Sequence, residues 1–262
     1  MAPKITIITI NFNNSEGLKR TVKSVLNQRF SGYEFIVIDG GSTDGSVAIL
    51  QQNTSKINFW ISEPDKGIYN AMNKGIRHAK GEYLLFLNSG DELSNENSLS
   101  NIHEHLHTEE IIYTDLIIKD QHAKYTKHYP DKLSYSHFLV DSLPHPASFI
   151  RKNLLEQFGY FDETFKICSD WAFFINVICK HNVSYKHIPT TISNFYFDGI
   201  SSSRENAVLI QTERRAILER DFPMYVSVYD ELLASRLLME HVQASRLLKL
   251  ARRFGFLKHL LK

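Results

Sequence analysis

The first ninety residues alternate short apolar runs with segments of helical periodicity, and this alternation restricts the possible folds more than any other feature. Residues 5–10 are all isoleucine or threonine, and residues 35–38 read Phe-Ile-Val-Ile. Such runs are typical of strands buried on both faces of a parallel sheet. Leu18, Val22 and Val25 recur between them at helical spacing. Strand, helix, strand at this spacing predicts an α/β fold, with a mostly parallel central sheet flanked by helices and right-handed crossovers.

Polar clusters follow three of the predicted strands. Thr9 and Asn11 stand at the end of the first strand, Asp39 ends the second, and Asn88 to Asp91 follow the strand at 83–87. Ligands of open parallel sheets bind beyond the carboxyl ends of the strands, where the strand order reverses. Polar groups at such positions are costly unless they meet solvent or a ligand, and a nucleotide is the ligand we expect.

Two nucleotide-binding motifs are missing from the chain. The glycine-rich stretch at 40–45 does not supply G-x-G-x-x-G in register, and no G-x-x-x-x-G-K-[ST] phosphate loop is present. The main sequence evidence for a kinase, an ATPase or an ordinary dehydrogenase is therefore missing. The site must bind its nucleotide by another arrangement.

Composition excludes several further classes. The 30 Lys and Arg residues against 29 Asp and Glu give a net charge of +1, so no global field favours a nucleic acid as partner. Cys168 and Cys179 are too few for a disulfide framework and are typical of a reducing compartment. We see no signal peptide and no apolar run of membrane-spanning length. These features favour a cytosolic protein.

The pattern changes after about residue 96. Apolar residues at 111–113 and 116–118 predict strands, whereas 125–144 is irregular and rich in aromatic residues and histidine. Helices are predicted over 171–179 and 205–219. No internal repeat and no linker rich in Pro, Gly or Ser separates the two halves, so we expect them to share one core.

Several blocks of the chain, in order and spacing, resemble the family 2 glycosyltransferases of the GT-A fold. Any single block would be a weak signal, but several in the right order are specific, and the resemblance covers residues 4 to about 200. The blocks are Ile7–Asn13, Ser24–Gln28, Ile36–Ser46, Asp65–Gly75, Phe86–Asp91 and, in the second half, Cys168–Trp171.

The resemblance implies transfer of a sugar from a nucleotide donor to an acceptor hydroxyl, with inversion at the anomeric carbon. It also implies that one carboxylate binds the nucleotide base, that a divalent Mn²⁺ or Mg²⁺ ion neutralises the departing diphosphate, and that a second carboxylate is the general base. By matching position, the roles fall on Thr9, Asn11, Asp39, Asp65, Gly67, Asn73, Asn88 and Ser89 for the nucleotide sugar, on Asp91 for the metal, and on Asp170 for the base.

Two positions depart from the family pattern. Gly40 stands where the family usually has a second Asp, which weakens the case for a ribose hydroxyl held there. The metal block usually reads Asp-x-Asp-Asp, whereas here it is Asn88-Ser89-Gly90-Asp91. With one carboxylate left, we expect a hard ion to bind through Asp91, the phosphate oxygens of the donor and water.

The resemblance also sets the predicted domain organisation. A GT-A domain is predicted over residues 1–222, with a Rossmann-like nucleotide-sugar half at 1–95 and an acceptor half at 96–222. Pro223 marks a break. Residues 223–262 are predicted to form a helical tail.

Each candidate carboxylate also has a purely structural interpretation. Asp39 is suited to capping a turn between strand and helix, and Asp170 or Ser169 to capping the helix that follows. The structural and catalytic interpretations of Asp170 are compatible, since a base at a helix N-terminus is held firmly.

Histidines give weaker signals. The stretch from His103 to His107 matches H-E-x-x-H, but its neighbours are polar and no third ligand is evident, so we favour a solvated helix face over a catalytic zinc. His137 and His145 are better placed, and His145 lies where the acceptor-side loop of the family runs. The segment 197–201 resembles a family segment that closes over the donor, with a plain surface turn as the alternative.

The end of the tail is basic and amphipathic. Between His241 and Lys262 it carries six Lys or Arg residues and no acid, with leucine and phenylalanine at helical spacing between them. This pattern favours a helix on the surface of an anionic membrane, and the alternative is an ordinary helix docked on the core. A membrane helix would place the protein on the inner face of the cell membrane.

Taken together, these features predict an inverting glycosyltransferase. It would move a hexose (glucose or galactose) from a UDP-linked donor to a glycan acceptor, a polyprenyl-diphosphate-linked intermediate of O-antigen, capsule or exopolysaccharide synthesis. The rival hypothesis is a non-catalytic GT-A-like module that binds a glycan or a protein partner. The departures at 88–90 motivate that rival, and Asp170 argues against it.

Overall fold

The computed structural model describes residues 2–120, 123–196 and 204–244. The chain divides into two compact units, residues 1–213 and 214–262. The first unit is a mixed α/β structure, as the sequence predicts. The predicted boundary between domain and tail, after residue 222, stays a prediction.

Strands and helices alternate through the first half of the chain. The strands are β1 Ile5–Asn11, β2 Tyr33–Asp39, β3 Phe59–Ser62, β4 Tyr83–Phe86, β5 Glu92–Leu93, β6 Ile111–Lys119, β7 Lys124–Lys127, β8 Ser148–Arg151 and β9 Tyr185–Tyr196. The helices are α1 Ser15–Leu26, α2 Ser46–Gln52, α3 Ile68–His78, α4 Ser98–His103, α5 Tyr135–Val140, α6 Lys152–Phe158, α7 Ser169–Ile175, α8 Ala207–Asp221 and α9 Val226–Ala244.

The nine strands in the described residues belong to one sheet, in the order β3-β2-β1-β4-β8-β6-β9-β5, with β7 paired to β6. The four strands of the first half are parallel to one another. In the second half β6 and β9 are parallel, whereas β8 runs antiparallel to both of its neighbours, β4 and β6. The strand order reverses between β1 and β4, which is where open α/β sheets bind their ligands.

The core lies on both faces of the parallel strands. Ile7, Ile8, Phe35 and Leu85 have no exposed surface, as expected for apolar runs in the middle of a sheet. On α1 the buried residues include Leu18, which belongs to the helical periodicity that predicted this helix. The first ninety residues therefore fold as their hydrophobic pattern indicates.

The second half differs from the prediction in detail. The two strands predicted at 111–113 and 116–118 form the single strand β6, with irregular pairing to β9 around Asp115. The helix predicted over 171–179 starts two residues earlier, and from Asn176–Lys180 it continues as a π-helical turn. These irregularities depend on long-range pairing, which a local pattern does not reveal.

The second unit contains the end of α8 and all of α9, and Pro223 begins a short 3₁₀ turn between them. The predicted break at Pro223 is thus present. In the part of the chain that the structure covers, no helix combines the length and the apolar character that crossing a membrane requires. The donor-closing segment at 197–201 and most of the basic tail, residues 245–262, lie outside the described residues.

Candidate active site

A cavity of about 520 Å³ lies at the carboxyl ends of β1 and β4, at the reversal of strand order. One wall comes from the first half of the chain, and the opposite wall includes His145 and Asp170 from the second half. Residues that are far apart in sequence therefore face one shared space. The predicted site residues that line it are Asn11, Asp65, Gly67, Asn88, Ser89, Asp91 and Asp170.

The turn that carries Asp91 is fixed by helix α1. Gly90 adopts a φ of +112°, in the left-handed region that favours glycine. Its carbonyl accepts a hydrogen bond from Nε of Arg20 at 2.9 Å, and its N–H donates to Oγ1 of Thr21 at 3.0 Å. The same Thr21 hydroxyl donates to the carbonyl of Asp91 at 2.6 Å. The conformation explains why glycine, rather than a second carboxylate, occupies position 90.

The carboxylate of Asp170 faces the cavity from the first turn of α7. The hydroxyl of Tyr69 donates to its Oδ1 at 2.7 Å, and Nδ1 of His145 lies 3.3 Å from its Oδ2. The N-cap residue of α7 is Cys168, and no side chain caps this helix. The interpretation of Ser169 or Asp170 as the helix cap is therefore wrong, and the carboxylate is directed to groups outside its own helix.

The lining of the cavity carries an excess of negative charge, although Asp65 is paired with Lys74. Asp65, Asp91 and Asp170 line it, and no lysine or arginine is among its described lining residues. A diphosphate entering this space would meet like charge, so a counter-charge is needed for it to bind. A divalent cation is a natural source of that charge.

Comparison with known proteins identifies the family. Residues 6–179 match the profile of Glycosyl transferase family 2. An uncharacterised glycosyltransferase of Mycobacterium tuberculosis is 36% identical over 234 residues, which cover 85% of this chain and 86% of that protein. The chain belongs to glycosyl transferase family 2. The enzyme class expected from the sequence blocks is thereby confirmed.

Other relatives and solved structures are more distant. A PGL/p-HBAD biosynthesis glycosyltransferase of Mycobacterium bovis is 27% identical over 213 residues, covering 77% of this chain and 80% of that protein. The structure of S. aureus TarS 1-349 in complex with UDP-GlcNAc superposes with a TM-score of 0.62 at 20% identity, over 93% of this chain and 74% of that one. Mannosyltransferase PcManGT from Pyrobaculum calidifontis, in complex with GDP-Man and Mn²⁺, gives 0.63 at 14% identity, over 99% and 82%. These likenesses confirm the GT-A fold.

In this family 2 glycosyltransferase, Asp39 lies behind the cavity wall and has no exposed surface. Its two oxygens accept four hydrogen bonds: from Nδ2 of Asn11 at 2.7 Å, from Oγ and N of Ser42 at 2.6 and 2.9 Å, and from Oγ of Ser62 at 2.6 Å. Burial by itself raises the pKa of the Asp39 carboxyl, but the hydrogen bonds from Ser42, Ser62 and Asn11 outweigh it and lower the pKa.

Asn11 stands between Asp39 and the cavity. Its Nδ2 donates to the carboxylate and to Oγ of Ser42, and its buried Oδ1 has no hydrogen-bond partner. A buried acceptor without a partner is costly unless a ligand supplies the donor. Asn11 is therefore the side chain of this pair that lines the cavity directly.

Two other predicted residues, Thr9 and Asn73, do not line the cavity. The Thr9 hydroxyl donates to the carbonyl of Leu87 at 2.6 Å and ties β1 to the end of β4. Asn73 is buried on α3, where its amide donates to the carbonyl of Phe161 at 2.8 Å and to Glu163 at 2.9 Å. In this structure both side chains join elements of the fold, and their predicted contact with the nucleotide stays a prediction.

The neighbours of Gly40 explain its departure from the family pattern. A Cβ atom added there would lie 3.1 Å from Cδ2 of Phe12 and 3.2 Å from Oδ2 of Asp65. Asp65 also pairs with Nζ of Lys74 at 2.5 Å. An aspartate at position 40 would thus bring a second carboxylate against Asp65, and glycine avoids that repulsion.

The structure distinguishes between the predictions made for the histidines. His145 lines the cavity, whereas His137 is half-buried on α5, and burial lowers the pKa of its imidazole. Helix α4 ends at His103, so His103 and His107 do not share one helix face, contrary to the expectation of a solvated helix there. Among the described residues no group of three or more His, Cys, Asp or Glu side chains is arranged to hold a metal. The zinc-site hypothesis finds no support.

Sequence reasoning missed the residues that hold the site in place. Arg20 and Thr21 lie outside the recognised blocks, and nothing in their sequence context marks them. Tyr69 lies inside the block Asp65–Gly75, and its position one turn before Asn73 could have suggested a shared face of α3. Glu213 accepts hydrogen bonds from three successive backbone N–H groups just before α7, which no sequence pattern shows.

Proposed function

We propose that this glycosyltransferase transfers a hexose, glucose or galactose, from a UDP-linked donor to a hydroxyl group of a glycan acceptor, with inversion at the anomeric carbon. One observation carries the proposal: the carboxylates of Asp91 and Asp170 line a single cavity of about 520 Å³ at the reversal of strand order. A cavity of this size suits a nucleotide sugar. The two carboxylates then have separate tasks at opposite ends of the reacting bond.

The proposed reaction is a single displacement. As the acceptor oxygen forms its bond to the anomeric carbon, the bond from that carbon to the phosphate oxygen breaks and the nucleoside diphosphate leaves. Asp170 takes the proton from the acceptor hydroxyl. A general base within hydrogen-bond reach contributes roughly 10²–10⁴-fold in rate. Attack from the face opposite the leaving group produces inversion.

The nucleotide end of the cavity is assigned to Asn11, backed by Asp39. The unpartnered Oδ1 of Asn11 can accept a hydrogen bond from the imide N–H of uracil, and the ionised Asp39 fixes the orientation of the Asn11 amide. This contact is compatible with a UDP-linked donor. The complexes of TarS with UDP-GlcNAc and of PcManGT with GDP-Man show that proteins of this fold accept different bases.

The residues at the diphosphate end fit a hard divalent cation. Asn88 lines the cavity and its buried Oδ1 has no hydrogen-bond partner, and the carboxylate of Asp91 lies in the same wall. Oxygen ligands of this kind, completed by phosphate oxygens and water, suit Mg²⁺ or Mn²⁺. Asn88 and Asp91 would hold the ion, which would offset the negative charge of the leaving diphosphate. The Mn²⁺ in PcManGT supports this assignment by analogy of fold.

The proposed acceptor is a lipid-linked glycan, a polyprenyl-diphosphate intermediate of surface polysaccharide assembly. This part of the proposal rests on the family resemblance of the sequence and on its basic tail. We propose that the basic residues between His241 and Lys262 bring the enzyme to anionic lipids on the inner face of the cell membrane. Binding to vesicles with and without anionic lipid, comparing the full chain with a variant lacking residues 245–262, tests this part separately.

A donor panel tests the proposed reaction. UDP-, GDP- and dTDP-hexoses are incubated with the enzyme, with and without EDTA, and nucleotide release is measured first with water and then with membrane lipid extracts as acceptor. We expect UDP-hexoses to give the highest rate and EDTA to reduce it. No nucleotide release from any donor would contradict the proposal.

The variant Asp170→Asn tests the role of the base. Transfer is expected to fall roughly 10²–10⁴-fold, while UDP binding, measured by calorimetry, is retained because Asp170 is not assigned to the nucleotide. Asp162→Asn, which removes a carboxylate that is not assigned to the cavity, is the control. Unchanged transfer by Asp170→Asn would remove Asp170 from the mechanism.

A further inference from the structure

The two oxygens of Asp170 each lie close to a polar group from a different element of the fold. Oδ1 accepts from the hydroxyl of Tyr69 on α3 at 2.7 Å. Oδ2 lies 3.3 Å from Nδ1 of His145, in the short 3₁₀ turn His145–Ala147 before β8. Three separate segments thus meet at one carboxylate. This arrangement restricts both the position of the carboxylate and its rotation.

Tyr69 is suited to this contact in both protonation states of Asp170. Its hydroxyl also lies within hydrogen-bond distance of the carbonyl of Ile167. While Asp170 is ionised, the Tyr69 hydroxyl donates to it. Once Asp170 has taken a proton, the hydroxyl can accept from Asp170 and donate to Ile167 instead. No heavy atom needs to move between the two states.

The phenol of Tyr69 keeps its proton at any working pH. Burial, and then the negative charge of Asp170, raise its pKa well above the ordinary value for tyrosine. The side chain is almost fully buried and its ring packs against Phe161, which limits its freedom to turn away. A preorganised donor of this kind loses little entropy when it holds its partner.

His145 is held in one orientation by aromatic rings. The centroids of Phe86, Phe161 and Phe174 lie 5.7, 5.9 and 6.0 Å from the centre of its imidazole ring. Its Nε2 is buried and has no hydrogen-bond partner. A proton on Nδ1 would face Oδ2 of Asp170, 3.3 Å away, whereas a proton on Nε2 would have no acceptor. The surroundings favour the tautomer that donates from Nδ1 to the carboxylate.

We propose that Tyr69 and His145 are positioning residues: Tyr69 holds Oδ1 of Asp170 by a hydrogen bond, the Nδ1–H group of His145 attracts Oδ2, and together they aim the carboxylate at the acceptor hydroxyl. This inference rests on the proposed role of Asp170 as general base. Neither residue is assigned to the nucleotide or the metal. The remaining acidic groups of the cavity, Asp65 and Asp91, lie in the wall built from the first half of the chain.

Tyr69→Phe is the first test, with Tyr33→Phe as its matched control. Tyr33 is another partly buried tyrosine, whose hydroxyl donates to the carbonyl of Val25 at 2.9 Å away from the cavity. For nucleotide release from UDP-glucose, we expect Tyr69→Phe to lower kcat about 10- to 100-fold while KM changes less than about two-fold. Tyr33→Phe should leave both constants at the wild-type values.

Two substitutions at position 145 separate the donor from the bulk of the ring. In His145→Asn the side-chain amide can place an N–H close to where Nδ1 was, whereas in His145→Gln the amide reaches further, towards Nε2. We expect Asn to retain at least about ten-fold more kcat than Gln, at similar melting temperatures. Equal kcat values for the two variants would contradict a positioning role.

A spectroscopic test does not depend on activity. Nitrogen-15 NMR of the histidine rings, with the signal of His145 identified from its loss in His145→Asn, reports which ring nitrogen carries the proton. We expect the Nδ1–H form in the wild type and a shift away from it in Asp170→Ala, which removes the acceptor. An Nε2–H form in the wild type would overturn the inference.

The outcomes distinguish this inference from the proposed function. If Asp170→Asn keeps full transfer, the proposed base is wrong, whatever the ring nitrogens show. If Asp170→Asn abolishes transfer but Tyr69→Phe retains wild-type kcat, the base is right and the positioning role is wrong. A low kcat for Tyr69→Phe, together with the Nδ1–H tautomer, supports both.

Discussion

The two walls of the cavity are held by different kinds of contact. The donor wall, which contains Asn11, Asp65 and Asn88–Asp91, is fixed by residues of the same first half of the chain, such as Thr21 on α1 and Asn14, whose Nδ2 donates to the carbonyl of Ser89 at 3.1 Å. The acceptor wall, with His145 and Asp170, is held by residues from distant segments. One wall is therefore built within the first half of the chain, and the other is held by residues of both halves.

The links that hold the acceptor wall come from both sides. Tyr69 contacts Asp170 from α3 of the first half. From the second half, the buried carboxylate of Glu213 accepts hydrogen bonds from the N–H groups of Lys166, Ile167 and Cys168 at 2.7, 3.0 and 3.0 Å. The proposed catalytic carboxylate, Asp170, thus depends on contacts from both halves of the chain, whereas the turn at 89–91 is held by Asn14, Arg20 and Thr21 of the first half. We expect the donor wall to respond locally to substitution and the acceptor wall to respond as a unit.

Within the donor wall, the largest effect is expected from Asp91→Asn. Removing the one carboxylate assigned to the metal should lower kcat about 100-fold, because the departing diphosphate loses its counter-charge. Binding of Mn²⁺ in the presence of UDP, followed by electron paramagnetic resonance, should weaken in parallel. Glu92→Gln is unsuitable as a control because Glu92 pairs with Lys119, so the exposed Glu104→Gln serves instead. Unchanged Mn²⁺ affinity in Asp91→Asn would move the metal away from this turn.

Asp39→Asn comes next and tests whether the donor wall responds to substitution independently of the acceptor wall. The Asn side chain keeps the shape but loses the charge and one acceptor, so we expect a loss of about 2–3 kcal/mol in the free energy of unfolding at pH 7. UDP affinity should fall as the Asn11 amide loses its fixed orientation. The position of Asp170 should be unaffected, so the tautomer of His145 stays as in the wild type.

The pH dependence of the Asp39 contribution has a definite sign. Because the folded pKa of Asp39 is lowered, its stabilisation is present above the unfolded pKa of about 3.9 and is lost as the pH falls through the folded pKa. Urea unfolding of wild type and Asp39→Asn should therefore differ most at pH 5–7 and converge towards about pH 2. A difference that grows in acid would contradict this account.

The local pattern of apolar and polar residues explains how much of the donor wall could be predicted from the sequence. The apolar run of β1 and the polar residues after it identify a strand and its ligand-facing end within a few residues, so Asn11 and Asp91 were found. That pattern does not show in which direction each side chain points, and so does not show which of them line the cavity. Asp39 and Thr9 lie one layer behind the cavity because their oxygens are used by Ser42 and by the carbonyl of Leu87.

The acceptor wall was predictable only through family resemblance. The block Cys168–Trp171 indicated Asp170, but periodicity alone would have assigned it to a helix cap. His145 was only one of two open histidine candidates, and Glu213 had no signal at all, because its partners are backbone N–H groups rather than a residue pattern. Contacts of this kind depend on how distant segments pack, and a single sequence does not contain that information in local form.

Glu213→Gln tests whether the acceptor wall responds as a unit. The amide can accept at one oxygen only, and its NH₂ group faces a backbone donor, so we expect a loss of about 1–2 kcal/mol in the free energy of unfolding. We also expect kcat to fall, because the segment before α7 carries Asp170. Glu219→Gln is the control on the same helix, since its exposed pair with Arg215 contributes little. Loss of stability with wild-type kcat would show that Glu213 holds the fold but not the base.

The smallest predicted effect concerns Gly40 and is a matter of charge. Because a side chain here meets Asp65 and Phe12, both Gly40→Asp and Gly40→Asn should crowd the donor wall, but only the aspartate adds a carboxylate beside another. We expect Gly40→Asp to be less stable than Gly40→Asn by about 1 kcal/mol at low ionic strength. Combining each with Asp65→Asn should remove most of that difference. If Gly40→Asp and Gly40→Asn are equally stable while Asp65 is unchanged, the lack of space, rather than charge repulsion, selects glycine at this position.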